Sequence, residues 1–214
     1  MTGLVLKDML VMRKTLKTYV LFLAFYLLLA VIGLFPISAV TQIIIMMLPL
    51  SAFSFDELAK WDRYALTFPT GRRSLVGARY LFTLVMAAAA TLYSLVACVV
   101  LSIGKGQSAM AENLLSLMVS LGLGLIIADI LLPLCYKLGV ERARPYMYIV
   151  IFAPLLLFFG AYKLGLFEGI DLSSLDRMPE STVLAVGSLL PLIPLLGLGL
   201  SYLISCRIME QKEF

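Results

Sequence analysis

Histidine is absent from the sequence, and charged residues of either sign are scarce. Without histidine the chain lacks the commonest general base and the commonest metal ligand, which excludes most triad and zinc-hydrolase chemistry. The three cysteines show no C-x-x-C spacing, so neither a zinc site nor a disulfide framework is indicated. No G-x-x-x-x-G-K-S/T phosphate loop occurs, so we do not expect this chain to hydrolyse ATP. We therefore expect no catalytic residue, no metal site and no cofactor bound by the chain itself.

The sequence is rich in hydrophobic residues. They make up 62% of the 214 positions, whereas charged residues make up 14%, against about 25% in soluble domains. A soluble globule could not bury so much apolar surface. The net charge of +4 comes without a basic groove that carries interleaved aromatics, so no nucleic-acid partner is expected.

Long uncharged stretches alternate with short charged segments along the chain. A helix needs about 20 residues to cross roughly 30 Å of hydrocarbon. Open sheets are excluded from lipid, and the alternating segments of a membrane barrel are missing from the sequence. The sequence therefore predicts an all-α integral membrane protein with a single transmembrane domain over residues 1–214. Its six predicted spans cover approximately residues 18–36, 38–55, 80–104, 113–136, 145–163 and 181–206.

The distribution of Lys and Arg predicts how these spans are oriented. Fourteen of them lie on one side of the predicted bundle and three on the other. Because positive charge accumulates in cytoplasmic segments, both termini are predicted to be cytoplasmic, with residues 164–180 as an extracellular loop. Residues 1–17 are predicted to form an amphipathic interfacial helix. That helix is either an anchor that fixes topology or a connector that transmits motion.

The most informative segment is the predicted cytoplasmic connection of residues 56–79. Ser54 and Glu57 form a capping-box pattern that predicts a new helix start. Apolar residues then recur at three- and four-residue steps as far as Pro69, which indicates a short amphipathic helix. From the residues alone, this helix either docks onto a partner or lies in the interface, held there by Trp61 and by arginines on anionic lipid.

A second, shorter cytoplasmic loop follows the predicted fourth span. Gly139 is expected to end that helix, since glycine is favoured just past a helix C-terminus. Lys137, Gly139, Arg142 and Arg144 make up this loop, which is either a further partner contact or a positively charged stop.

Asp129 is the one acidic residue inside a predicted span. Ionisable residues within the membrane are candidates for function, so Asp129 is expected to line a translocation path or a subunit interface. The alternative is that Asp129 pairs within the bundle or reaches the inner interface toward Lys137.

Three segments of the sequence resemble those of the ABC-2 type transporter permeases, in particular a small six-helix subfamily common in Gram-positive bacteria. They are the N-terminal LVLKDMLVMRK, the run SFDELAKWDRYALTFPTGRRSLVGARYL (Ser54 to Leu81) and PLCYKLGVERARPY (Pro133 to Tyr146). Together with the six predicted spans, the resemblance covers essentially the whole chain.

The resemblance implies a role for the first cytoplasmic connection as a coupling helix that sits in a cleft of a separate ATPase subunit. Trp61 and Tyr64 would be packing anchors, and charged neighbours would supply polar contacts. The implied coupling residues are Asp56, Glu57, Lys60, Trp61, Asp62, Tyr64, Pro69, Arg72 and Arg73.

The same resemblance implies a function. The chain would be the permease subunit of an ATP-driven ABC exporter in the bacterial plasma membrane, moving an amphiphilic peptide, antibiotic or lipid outward. ATP and Mg would bind in the partner ATPase, and a homodimer or a heterodimer with a sibling permease would complete the transporter within membrane lipid. The alternatives are a non-ABC secondary transporter, which would need more intramembrane charge than Asp129 offers, and a non-transporting accessory or immunity subunit.

Overall fold

The structure is a computed structural model, and it describes residues 2–33, 36, 38–61, 64, 71–102, 107–164, 187 and 189–211. Seven helices organise these residues, and the described part of the chain contains no strand, so the predicted all-α fold is confirmed. The helices are α1 (Thr2–Val11), α2 (Arg13–Ile32), α3 (Ser38–Leu58), α4 (Arg72–Ser102), α5 (Gln107–Leu138), α6 (Val140–Lys163) and α7 (Leu192–Gln211).

The predicted N-terminal helix of residues 1–17 is shorter in the structure. It ends at Val11, and α2 starts at Arg13. Met12 closes the last turn of α1, because its N–H donates to the Asp8 carbonyl at 3.0 Å, and its side chain is fully buried. A buried residue at the junction thus fixes the direction in which the chain enters α2.

The predicted helix start at Ser54 is wrong. Helix α3 continues through this position to Leu58, and the Ser54 hydroxyl donates to the Leu50 carbonyl at 3.1 Å, one turn back in the same helix. A serine in apolar surroundings can satisfy its hydroxyl in this way, so a serine three residues before a glutamate is compatible with a helix interior. The predicted coupling segment therefore begins as the last turn of α3 and ends as the first two turns of α4, from Arg72 to Arg79.

The predicted turn at Gly139 is confirmed. Helix α5 ends at Leu138, Gly139 has φ +80°, and α6 begins at Val140. Glycine adopts this left-handed conformation without the steric penalty that a Cβ atom brings.

The core is built around α5, which packs against α3, α4, α6 and α7. Its buried Leu125 and Leu132 meet Ile45 of α3 and Val76 of α4 in the larger apolar cluster. Gly124 lets α3 approach closely, because a Cβ there would lie 3.3 Å from the Ile45 side chain. Small residues at helix contacts are the usual means of close packing between membrane helices.

A second apolar cluster joins α1, α3 and α4. Met12 contributes the end of α1, and Val40, Leu48 and Phe82 contribute α3 and α4. Helix α1 is therefore packed against the bundle by its Met12 side, whereas Leu10 on its outer side is 60% exposed.

Three helical segments in the described residues are long and apolar enough to cross a membrane: Arg72–Leu101, Glu112–Leu138 and Leu192–Gln211. The structure also exposes many large apolar side chains, such as Leu21 and Leu196, as expected of helices that face lipid. The count of six spans and their orientation stay predictions.

Gly139→Ala is predicted to destabilise the protein by roughly 1–2 kcal/mol, because alanine pays a steric penalty in the left-handed region. The added Cβ would also lie 3.0 Å from the Glu57 carboxylate. Gly160→Ala is the control, since a Cβ there meets nothing within 4 Å inside α6. Thermal unfolding in detergent, followed by the reaction of a thiol dye with the buried cysteines, measures both. A midpoint for Gly139→Ala at or above that of Gly160→Ala would contradict the prediction.

Candidate functional site

Four charged side chains from three helices form a closed network at one end of the bundle. Lys7 Nζ lies 2.7 Å from Asp56 Oδ1 and 3.0 Å from Asp8 Oδ1. Arg79 completes the ring, with Nη1 3.1 Å from Asp8 Oδ2 and Nη2 bonded to Asp56 Oδ2. Each cation contacts both anions, so the network joins α1, α3 and α4. Its two positive charges balance its two negative charges, which makes it neutral as a whole.

The network is shielded from solvent. The Arg79 and Asp8 side chains are 7% and 6% exposed, and that of Asp56 is 12% exposed. Leaving any of these charges unpaired at such burial would carry a large desolvation penalty. The four charges therefore have to stay together.

Aromatic rings cover both cations. Lys7 Nζ lies 4.4 Å from the centre of the Trp61 ring, and the Arg79 guanidinium carbon lies 4.6 Å from that of Phe53. Both distances are within the range of cation–π attraction. Phe53 in turn meets Tyr136 of α5 edge-on, with ring centres 4.9 Å apart. The predicted packing anchor Trp61 thus contacts the inside of the molecule.

Glu57 points from the end of α3 toward a different helix. Its Oε2 accepts the backbone N–H of Val140 at 2.8 Å, which satisfies a free donor in the first turn of α6. The negative charge of the carboxylate is also stabilised by the positive end of the α6 helix dipole, which lies at the helix N-terminus. Gly139 leaves room for this contact, so residues from the two predicted cytoplasmic loops meet here.

Arg72 and Arg73, at the start of α4, hold the end of α7. Arg72 Nη1 donates to the carbonyls of Met209 and Glu210 at 3.2 and 2.7 Å, where the last carbonyls of a helix lack partners within it. Arg73 Nε donates to the Glu210 carboxylate at 2.7 Å, and this pair is exposed. These arginines therefore make intramolecular contacts in the chain.

The remaining residues of the predicted site lie at the surface or beyond the described residues. Tyr64 is 64% exposed, and Lys60 is exposed at a left-handed φ of +49°. Leu58, which lies beside them but is not one of the predicted site residues, is 82% exposed. Asp62 and Pro69 lie outside the described residues. In the second loop Lys137, Arg142 and Arg144 are exposed, as is the acidic Glu141 between them.

Sequence reasoning assigned no role to Asp8, and it used Lys7 and Arg79 only to orient the spans. The available signal was an acid and a base side by side in an otherwise apolar N-terminal helix. Such a pair is unfavourable on a helix that merely lies in lipid, and it indicates burial against charges of opposite sign.

Asp129 lies in the contact between α5 and α7. Its Oδ1 is buried and has no hydrogen-bond partner in the described part of the chain. Its Oδ2 occupies the space beside Gly197, where a Cβ would be 2.5 Å away. Lys137 is exposed and forms no ion pair with Asp129, so the alternative in which Asp129 reaches toward Lys137 is not observed between these two described residues.

A chain of hydroxyls runs beside Asp129. Ser201 Oγ donates to the Asp129 carbonyl at 2.6 Å, and the Tyr80 hydroxyl lies 2.7 Å from Ser201 Oγ and 2.8 Å from Ser205 Oγ. These bonds tie α4, α5 and α7 together in the middle of the bundle.

Comparison with known proteins identifies the class to which this architecture belongs. Residues 3–210 match the family model described as ABC-2 family transporter protein. A match over nearly the whole chain means that the protein belongs to the ABC-2 transporter family and is a permease of an ABC transporter. The comparisons with curated proteins and with solved structures gave no match.

Membership in this family has three direct consequences. The chain is a membrane protein, the family is typically non-catalytic, and association with an ABC ATPase subunit is implied.

Arg79→Met is predicted to destabilise the protein by about 3–5 kcal/mol, because it leaves two buried carboxylates with one cation. Lys7→Met should have a smaller effect of about 1–3 kcal/mol, since the Lys7 side chain is 21% exposed. Arg73→Met, in the exposed pair with Glu210, is the control and should change stability least. The midpoint of thermal unfolding in detergent gives the order, and equal midpoints for Arg79→Met and Arg73→Met would contradict it.

Gly197→Ala is predicted to destabilise the protein by about 1–3 kcal/mol, because its Cβ would overlap the Asp129 carboxylate. Gly199→Ala is the matched control two residues later, where a Cβ meets nothing within 4 Å. Adding Asp129→Ala to Gly197→Ala should recover most of the loss. An undiminished loss in the double variant would show that the Asp129 carboxylate is not what the added methyl group displaces.

Proposed function

We propose that the chain is the membrane-spanning subunit of an ATP-driven exporter and that it receives the motion of a separate ATPase at the end of α3. The observation that carries the proposal is that neighbouring residues at the end of α3 contact several different helices. Asp56 bonds to α1 and α4, Glu57 caps α6, and Trp61 covers Lys7. A force applied to this short stretch reaches three other helices through direct contacts.

The proposed coupling site divides its residues between two roles. The exposed side chains of Leu58, Lys60 and Tyr64 would contact the ATPase. The side chains of Asp56, Glu57 and Trp61, which contact other helices of the bundle, would pass the displacement on. Asp62 and Pro69 belong to the proposed contact through the family resemblance alone.

Arg72 and Arg73 extend the proposed coupling to α7. They follow the coupling segment directly, and their guanidinium groups bond to Met209 and Glu210. Displacement of the loop would pull on the start of α4 and the end of α7 together. This contact supports a role for both arginines as transmitters of motion rather than as docking contacts.

A buried charge network suits this role because it resists separation. Breaking a buried pair by removing one partner is unfavourable by about 3–5 kcal/mol. Movement of α1, the end of α3 and the start of α4 as one body leaves every pair intact. We therefore expect ATP-driven closure to move this end of the bundle as a unit.

The second loop is proposed as a weaker contact with the same ATPase. Lys137, Arg142 and Arg144 are exposed beside the turn at Gly139. Because Glu57 bonds to Val140 in that turn, the two loops would approach the ATPase from one joined surface. Gly139 itself serves the turn.

Asp129 is proposed to line the translocation path or the interface with a second permease. Its support is the Oδ1 atom, which is buried at the contact of α5 and α7 and has no hydrogen-bond partner among the described residues. The neighbouring Ile126 and Ile130 are 45% and 43% exposed. A carboxylate without a partner is unfavourable in the membrane. A polar group from a second permease or from a substrate would stabilise it.

The direction, cargo and assembly of the transporter are part of the same proposal. The cargo would be an amphiphilic peptide, antibiotic or lipid moved outward across the bacterial plasma membrane. ATP and Mg would be held by the ATPase, and two permeases, identical or related, would form the pathway. The family membership supports a permease that works with an ABC ATPase, and the apolar helices support its place in a membrane. Cargo, direction and assembly are proposed from the family resemblance.

The docking assignment is tested by co-purification with the candidate ABC ATPase in detergent. Leu58→Asp with Lys60→Glu changes two exposed residues that make no contact within the network, so the permease should fold and lose at least about tenfold in retained ATPase. The matched control is Leu164→Asp with Lys163→Glu at the far end of α6, where Leu164 is 78% exposed.

The control variant should retain the ATPase as the wild type does. Retention by both variants would contradict docking at the end of α3. Loss by both variants, with unfolding midpoints equal to that of the wild type, would mean that net charge rather than this site governs the complex, and it would contradict the assignment as well.

A further inference from the structure

Helix α5 contains a proline, Pro133, inside its length. Proline has no backbone N–H, so it cannot donate the hydrogen bond that a helix normally makes to the carbonyl four residues earlier. In α5 that carbonyl belongs to Asp129. Prolines are a common cause of kinks in helices, because the missing bond weakens the helix at that turn. The turn between Asp129 and Pro133 is therefore a weak point in the helix around which the bundle is built.

A side chain of α7 supplies the missing bond. Ser201 Oγ donates to the Asp129 carbonyl at 2.6 Å. Hydroxyls of neighbouring helices can satisfy the backbone groups that a proline leaves free within a membrane helix. One turn earlier on α7, Gly197 lies beside the Asp129 carboxylate. Helix α7 thus holds α5 at the turn where α5 lacks its own hydrogen bond.

The hydroxyl of Tyr80 fixes the Ser201 side chain. It lies 2.7 Å from Ser201 Oγ and 2.8 Å from Ser205 Oγ, and all three residues are buried. A hydroxyl has one proton to donate, and Ser201 uses its proton for the Asp129 carbonyl. Tyr80 must therefore donate to Ser201, and Ser205 must donate to Tyr80. The three hydroxyls form one directed chain that ends on the backbone of α5.

Tyr80 directly follows Arg79 of the charge network in α4. Arg79 bonds to Asp8 and Asp56, whereas Tyr80 bonds to α7. Because adjacent residues of one helix move together, a displacement of the start of α4 that moves Arg79 also moves the Tyr80 hydroxyl. Helix α4 therefore connects the charge network to the weak turn of α5.

We propose that Ser201, positioned by Tyr80, is a latch on a proline hinge in α5. With the latch closed, the Asp129 carbonyl has its donor and α5 keeps one bend at Pro133. Displacement of α4 draws Tyr80 away from Ser201, the bond to the Asp129 carbonyl is lost, and the bend of α5 changes beside the Asp129 side chain. The part of the ATPase in moving α4 rests on the proposed function, whereas the latch itself does not.

Ser201 and Ser205 provide a matched pair of variants. Both are buried on α7 and bond to Tyr80, but the Ser201 hydroxyl is the one that donates to α5. Ser201→Ala should lower the midpoint of thermal unfolding in detergent by about 3–6 °C, because the Asp129 carbonyl loses its donor. Ser205→Ala should lower it less, since the bonds from Tyr80 to Ser201 and from Ser201 to α5 remain. Equal losses would overturn the proposal.

Replacing the proline tests whether Ser201 compensates for it. In Pro133→Ala the backbone N–H at position 133 can bond to the Asp129 carbonyl, so the Ser201 hydroxyl is no longer needed there. Adding Ser201→Ala to Pro133→Ala should therefore lower the midpoint much less than Ser201→Ala does alone. An undiminished loss in the Pro133→Ala background would mean that the two residues act independently, and it would overturn the latch.

The bend of α5 is measured as the spin–spin distance between labels on the exposed Met110 of α5 and Phe159 of α6. Met110 lies about 28 Å from Asp129 along α5, so a change in the bend displaces it strongly. Helix α6 follows the opposite end of α5 through the turn at Gly139 and serves as the reference.

In the permease alone, the distance distribution should be narrow for the wild type and for Ser205→Ala, and broader for Ser201→Ala and Tyr80→Phe. Tyr80→Phe tests positioning, because it leaves the Ser201 hydroxyl in place and removes only the group that orients it. A distribution that stays narrow in Ser201→Ala would overturn the hinge, and one that stays narrow in Tyr80→Phe alone would overturn the role of Tyr80.

The link to α4 is tested with the same labels in the complex with the ATPase. ATP should shift the distance in the wild type, and it should shift it less in Tyr80→Phe, where the latch is already weakened. An unchanged distance in a complex that retains the ATPase and binds ATP would overturn the transmission through Tyr80. Failure of the wild type to retain the ATPase would instead contradict the proposed function, and the measurements on the permease alone would still decide the latch.

Discussion

Lys7, Asp8, Asp56 and Arg79 share a buried ring of ion pairs that decides how three helices meet. Each charge depends mainly on the others, because the surrounding apolar residues cannot replace water around a charge. Helix α1 is therefore held in place by its charged residues as well as by Met12 and its apolar neighbours. Buried ion pairs contribute less net stability than their geometry suggests, but they disfavour arrangements in which one member loses its partners.

The neighbouring contacts extend this constraint to the rest of the bundle. Phe53 covers Arg79 and packs on Tyr136 of α5, and Glu57 bonds to the first turn of α6. Arg72 then links the start of α4 to the last carbonyls of α7. One end of the bundle is thus joined by ion pairs and hydrogen bonds around the segment that we propose as the contact with the ATPase.

Much of the fold could be predicted from the sequence because hydrophobicity decides it. The apolar runs require helices in lipid, and Gly139 marks a turn that any other residue would strain. The helix boundary at Ser54 could not be read correctly, because the local pattern is the same whether the hydroxyl caps a new helix or bonds back within an old one.

The direction in which each charged residue points was also beyond the sequence. Asp56 and Glu57 are adjacent, yet one turns to α1 and α4 and the other to α6. The prediction of orientation counts Lys and Arg by their position along the chain, whether they face water or the core. It therefore treats the buried Arg79 and the exposed Arg73 alike. The packing of α1 against α4 is what buries Arg79 and leaves Arg73 exposed. That packing depends on residues far apart in the chain.

The central claim is that α1, the end of α3 and the start of α4 move as one body. The measurement that tests it most directly is the spin–spin distance between labels on the exposed Leu6 of α1 and the exposed Leu81 of α4, in the complex with its ATPase, with and without ATP. The account predicts one narrow distance distribution that is the same in both states. A distribution that shifts or broadens by several ångströms on ATP binding would mean that the charge network opens during the cycle, and it would contradict the account.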